Sequence, residues 1–100
     1  MTARDDLLRD YRVAFLRHLA RREESALHAG YRLGRGALAA GFTLLEVVRV
    51  HHDVLIEVLL DSPPEEAPDL AAAASDLLLE VLSTYEMTQR DLLPPPGRPG

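Results

Sequence analysis

Two adjacent histidines, His51 and His52, followed by Asp53, are the residues of this 100-residue chain that most suggest metal chemistry. Successive side chains of an α-helix point about 100° apart, so these three cannot converge on one ion. One turn further on there is no second histidine, and the His-Glu-x-x-His pattern of helical zinc sites is missing. We interpret the histidines as buried or capping side chains and expect neither a metal nor a cofactor.

Serine and glycine residues are the next candidates for catalysis or phosphate binding. None of the four serines lies in the Gly-x-Ser-x-Gly turn that presents a hydrolase nucleophile, and the chain has no cysteine. The glycines between positions 30 and 41 lack the Lys-Ser/Thr pair of a phosphate-binding loop. The spacing of Gly30 and Gly34 instead favours close helix packing. No catalytic constellation is present, and we expect no enzymatic activity.

The charged residues are unevenly distributed along the chain. Residues 1–50 carry nine arginines against six acidic residues, whereas residues 51–100 carry two against ten. The net charge of −5 argues against a dedicated nucleic-acid-binding protein. The arginines around the second predicted helix form either a solvated face or a positive patch that docks an acidic partner surface. They are Arg21, Arg22, Arg32 and Arg35.

The elements that position these side chains are helices, because leucine and alanine supply almost a third of the residues and favour helix over sheet. Apolar spacing predicts helices over about residues 2–22, 24–40, 44–61 and 69–90, the last with Asp69 as its N-cap. We predict an all-α fold, a small four-helix bundle, with residues 1–90 as the domain. The Pro/Gly-rich segment 91–100 is predicted to be a disordered tail or linker. No membrane span or signal peptide is apparent, so we expect a cytoplasmic protein.

The third predicted helix carries information about assembly. Thr43 and Glu46 fit a capping box at its start. About two-thirds of its circumference is apolar, more than the roughly 100° of a surface helix. We therefore predict burial on two sides, once in the bundle and once in a homodimer seam; the alternative is burial wholly within its own bundle. The predicted core and seam residues are Val47, Val54, Leu55 and Leu59.

Residues 5–90 resemble the N-terminal domain of RsbU-type phosphoserine phosphatases. The resemblance is most specific in three places along the chain. They are Leu33-Gly34-Arg35, the pattern Leu44-Leu45-Glu46 … His51-His52 … Leu55, and Tyr85-Glu86-Met87.

The resemblance implies a dimeric, non-catalytic four-helix bundle that recruits a switch kinase of the RsbT type in partner-switching control of a stress sigma factor. The family's docking surface lies on the second and fourth helices, near His28 and Ser83 here, and Arg32 and Arg35 add positive charge to it. We expect a protein partner and a second copy of the chain, but neither nucleic acid nor membrane. The alternative is a purely structural dimerisation module that holds an effector domain in place.

Overall fold

The computed structural model describes residues 2–21 and 24–92. The chain forms four helices: α1 (Ala3–Arg21), α2 (Glu24–Ala39), α3 (Leu44–Leu60) and α4 (Ala67–Leu92). A short 3₁₀ helix, Pro64–Glu66, connects the last two. No strand occurs within the described residues, and the predicted all-α fold is confirmed.

The start of α3 is set by the predicted capping box. The Thr43 hydroxyl accepts a hydrogen bond from the Glu46 backbone N–H at 3.2 Å, and the Glu46 carboxylate accepts one from the Thr43 N–H at 3.3 Å. Each side chain thus satisfies a backbone donor that has no partner inside the helix. Local sequence alone therefore defines where α3 begins.

The end of α2 depends on a glycine. Gly41 has a φ of +86°, a left-handed conformation that costs least without a Cβ. The Gly41 N–H donates to the Leu38 carbonyl, and the Phe42 N–H donates to the Ala37 carbonyl. These two bonds form a Schellman motif, which ends α2 and turns the chain into α3.

The predicted start of α4 at Asp69 is wrong. The helix begins at Ala67, directly after the 3₁₀ helix. Pro68 is accommodated in the first turn, where its missing N–H would have no partner, and Asp69 lies in that turn near the positive end of the helix dipole. At its other end α4 extends to Leu92, two residues into the predicted tail, and residues 93–100 lie outside the described part.

All four helices contribute to one apolar core. Its largest fully buried apolar side chains are Tyr11, Phe15, Val47, Val50, Val54, Leu70, Leu77 and Val81. Of the residues predicted for the core or seam, Val47 and Val54 are fully buried, while Leu55 is half-buried against the core. Leu59 stays 37% exposed. The bundle therefore covers one side of α3 and leaves the other open.

Helices α2 and α4 pack at very short range through two glycines. A Cβ at Gly34 would lie 2.5 Å from both the Thr84 hydroxyl and the Val81 carbonyl oxygen. One turn earlier, a Cβ at Gly30 would lie 2.7 Å from the Leu77 side chain. This confirms the predicted close packing and shows that the two helices run in the same direction.

Candidate functional site

A groove between α2 and α4, here called the α2/α4 groove, opens beside this close contact. Its lining residues are Tyr31, Arg35, Leu38 and Ala39 from α2, and Thr84, Met87 and Thr88 from α4. Because two rigid, tightly packed helices form its walls, the groove is a preformed surface rather than a loop-built one.

Tyr31 is the centre of a stacked cluster on the α2 wall. The His28 ring stacks on the Tyr31 ring with centroids 6.2 Å apart and an 18° angle between the planes. The Arg35 guanidinium lies 5.9 Å from the same ring centroid, and its Nη1 donates to the Tyr31 hydroxyl at 3.3 Å. Since residues three and four apart share a helix face, the spacing of the three residues produces this stack.

The hydroxyl groups on the α4 wall donate their hydrogen bonds to carbonyl groups of their own helix. Thr84 donates to the Val81 carbonyl at 2.7 Å, and Thr88 donates to the Thr84 carbonyl at 3.0 Å. Met87 remains 50% exposed at the groove. The site therefore combines a flexible apolar side chain with an aromatic ring and a cation, a combination that suits a protein surface presenting an apolar anchor and a carboxylate.

The predicted docking residues do not all face this groove. Arg35 lines it, His28 stacks on its Tyr31, and Ser83 lies one turn before Met87, half-buried with its hydroxyl donating to the Glu80 carbonyl at 2.6 Å. Arg32 lines a different groove, between α1 and α2.

Arg32 and Arg35 differ by about 60° in direction around α2. Because α2 packs against both α1 and α4, this difference places Arg32 on the α1 side and Arg35 on the α4 side. Sequence reasoning missed Tyr31, Leu38 and Met87 as surface residues of the site. The signal that could have found Tyr31 was its spacing of three from His28 and four from Arg35.

Two of the histidines, His18 and His51, are buried inside the bundle, where each has a polar neighbour. The Tyr11 hydroxyl and His51 Nδ1 share a 2.8 Å hydrogen bond in the interior, and burial together with neighbouring His52 lowers the pKa of His51. His18 is buried, with its Nε2 3.4 Å from an Asp76 carboxylate oxygen. Within the described ranges, no three histidine or acidic side chains are grouped closely enough to hold a metal ion.

No helix in the described part of the chain has both the length and the apolar character needed to cross a bilayer.

Comparison with known proteins identifies the family of the chain. No curated protein and no solved structure matches the chain. Residues 9–88, which include most of α1 and α4 and all of α2 and α3, match the family described as "Phosphoserine phosphatase RsbU, N-terminal domain". The match covers both walls of the α2/α4 groove, and the chain belongs to the family of RsbU phosphatase N-terminal domains.

Proposed function

We propose that this chain is a non-catalytic, dimeric docking domain that binds a switch kinase of the RsbT type in partner-switching control of a stress sigma factor. Family membership supports a regulatory role as part of, or alongside, a phosphoserine phosphatase. The observation that carries the proposal is the Tyr31–Arg35 pair facing Met87 across the α2/α4 groove.

The composition of the groove supports protein binding rather than chemistry. Tyrosine and arginine are the residue types that most often dominate binding energy at protein interfaces. The planar guanidinium of Arg35 can hold a partner carboxylate with two hydrogen bonds, and its contact with Tyr31 preorganises it for that role. The partner surface we expect therefore carries an acidic residue beside an apolar one.

Calorimetric titration with a purified RsbT-type kinase from the same organism tests the proposal. The unmodified domain binds the kinase, and Arg35→Glu and Tyr31→Ala each weaken binding at least about tenfold, or about 1.4 kcal/mol. The matched control is Arg32→Glu, the same charge reversal on the same helix but on the α1/α2 groove. It retains the original affinity.

Two outcomes would contradict the proposal. If Arg32→Glu weakens binding as much as Arg35→Glu, the kinase senses the overall charge of α2 and not this groove. If the unmodified domain binds no kinase of this class, the structural dimerisation module becomes the better interpretation. Circular dichroism of each variant confirms that the helices are intact.

A further inference from the structure

The groove between α1 and α2, the α1/α2 groove, is separate from the candidate docking site. Two adjoining depressions form it, and they share Asp10, Arg32 and Leu33. Along α1 the groove extends from Ala3 to Arg17. At about 1.5 Å per residue this length is about 21 Å, or about four helical turns. The groove is therefore long enough to receive one helix of a partner protein.

Small apolar residues form the floor of the groove. Alanine supplies five of its lining residues, namely Ala3, Ala14, Ala29, Ala37 and Ala40. Because each of these projects only a methyl group, the floor leaves room for the larger apolar side chains of a partner. Val13, which is 46% exposed on α1, adds an apolar border.

The walls of the groove favour a helical occupant over an extended one. Both walls are helices, in which the central backbone N–H and C=O groups bond within their own element. An extended peptide gains affinity from main-chain hydrogen bonds to a sheet edge, and helical walls offer none. A helix satisfies its own backbone and can lay one apolar stripe into the groove.

The uncompensated charge in the groove is positive. Asp6 and Asp10 both pair with Arg9, at 3.6 Å and 3.3 Å. Arg17 and Arg32 are exposed, and neither forms an ion pair or a side-chain hydrogen bond within residues 2–21 and 24–92. Each of these two guanidinium groups can hold a partner carboxylate with two hydrogen bonds. The groove is therefore complementary to an acidic partner.

We propose that the α1/α2 groove binds an acidic amphipathic helix of a second partner protein. The apolar stripe of that helix lies on the alanine floor, and its carboxylates pair with Arg17 and Arg32. Because this surface is distinct from the α2/α4 groove, one domain holds two protein partners at once. The inference adds an adaptor role to the proposed function and does not depend on it.

Fluorescence anisotropy with a synthetic helix tests the charge requirement. The probe is a labelled peptide of about 18 residues with leucines along one stripe and glutamates beside it. The control peptide has lysines in place of the glutamates. The glutamate peptide binds the unmodified domain at least about tenfold more tightly. Non-specific attraction would favour the lysine peptide instead, because the net charge of the chain is −5.

Two charge reversals on α2 complete this test. Arg32→Glu reverses the preference between the peptides, whereas Arg35→Glu, which changes the net charge equally but lies on the other groove, leaves the preference as it was. Equal affinity for the two peptides, or no binding of the glutamate peptide, would overturn the proposal.

A leucine at position 36 tests the location of the peptide. Gly36 lines the groove, and no neighbouring atom lies within 4 Å of the position that its Cβ would occupy. Gly36→Leu therefore fills the groove and weakens the glutamate peptide at least about tenfold. The matched control is Ala39→Leu, at an exposed position of α2 that lines the other groove, and it keeps the original affinity. Unchanged binding in Gly36→Leu would overturn the proposal, and circular dichroism confirms that both variants stay helical.

Light scattering and the kinase titration separate the remaining interpretations. Gly36→Leu keeps the molar mass of the unmodified protein; a smaller mass would show that a second copy occupies the groove and would overturn the proposal. Gly36→Leu also keeps its affinity for the kinase. A domain that binds the glutamate peptide but no kinase contradicts only the proposed function, and one that binds the kinase but not the peptide contradicts only this inference.

Discussion

At the scale of single residues, the buried pair Tyr11–His51 links α1 to α3. Their rings meet edge to face with centroids 5.6 Å apart, in addition to the hydrogen bond between them. Burial raises the pKa of Tyr11 and lowers the pKa of His51, so both groups are neutral at pH 7. With the imidazole proton on Nε2, the Tyr11 hydroxyl donates and His51 Nδ1 accepts, and neither group is left unsatisfied.

Acidification is expected to destabilise the fold through His51. Because the folded-state pKa of His51 lies below its unfolded value of about 6.5, the unfolded chain takes up the proton first. The free energy of unfolding therefore falls as the pH is lowered from 7.5 to 5.5. Urea denaturation at each pH, at one protein concentration, measures this. Adding His51→Leu makes the slope shallower; an unchanged slope would assign the effect to other groups.

At the scale of elements, the glycines of α2 have opposite roles on its two sides. Gly34 faces α4, where the Thr84 and Val81 oxygens leave no room for a Cβ. Gly36 is exposed, and no neighbouring atom lies near the position that its Cβ would occupy. The first permits the close α2–α4 contact that forms one edge of the candidate site. The second only adds backbone freedom to a helix.

Two alanine substitutions are expected to separate these roles. Gly34→Ala lowers the free energy of unfolding by about 1–3 kcal/mol, because α2 and α4 must move apart. Gly36→Ala raises it by up to about 1 kcal/mol, because alanine is the better helix former and meets no neighbour. Urea denaturation of the two variants measures both changes. A shift of the same sign in both would contradict the close packing at Gly34.

At the scale of the whole molecule, arginines from the first half of the chain form ion pairs with acidic residues from the second half. Arg4 pairs with Asp53 at 3.0 Å and Arg12 pairs with Glu57 at 2.8 Å, both between α1 and α3. These exposed pairs contribute at most about 1 kcal/mol each, so they orient α1 on α3 rather than hold it there. Burial of the valine face of α3 against the other helices supplies the main stabilisation.

A pair of aspartate substitutions two positions apart on α3 is expected to distinguish the core face from the open face. Val54→Asp unfolds the chain, because Val54 is fully buried and a charge there has no partner. Ile56→Asp keeps the helical content, because that side chain already contacts solvent. Far-UV circular dichroism measures both. Loss of helix in Ile56→Asp would show that the open face of α3 belongs to the fold of the single chain.

The sequence by itself determined the helices, the capping box at Thr43, the stop at Gly41 and the family. Each of these depends on interactions within a turn or two of helix, or on a residue pattern that can be compared directly. The start of α4 was misplaced by two residues because a proline fits the first turn as readily as it ends a helix. Dimerisation was predicted from the apolar circumference of α3 and stays a prediction.

Only the tertiary structure decided which way the side chains face. The sequence showed that α3 is apolar on two sides, but packing against α1 and α4 determined that Val54 is covered and Ile56 is open. Likewise, Arg32 and Arg35 look equivalent in sequence, yet they line different grooves. Helical periodicity gives the angle between two side chains of one helix. The rotation of that helix about its own axis depends on how it packs against its neighbours, as α2 packs against α4 at Gly34.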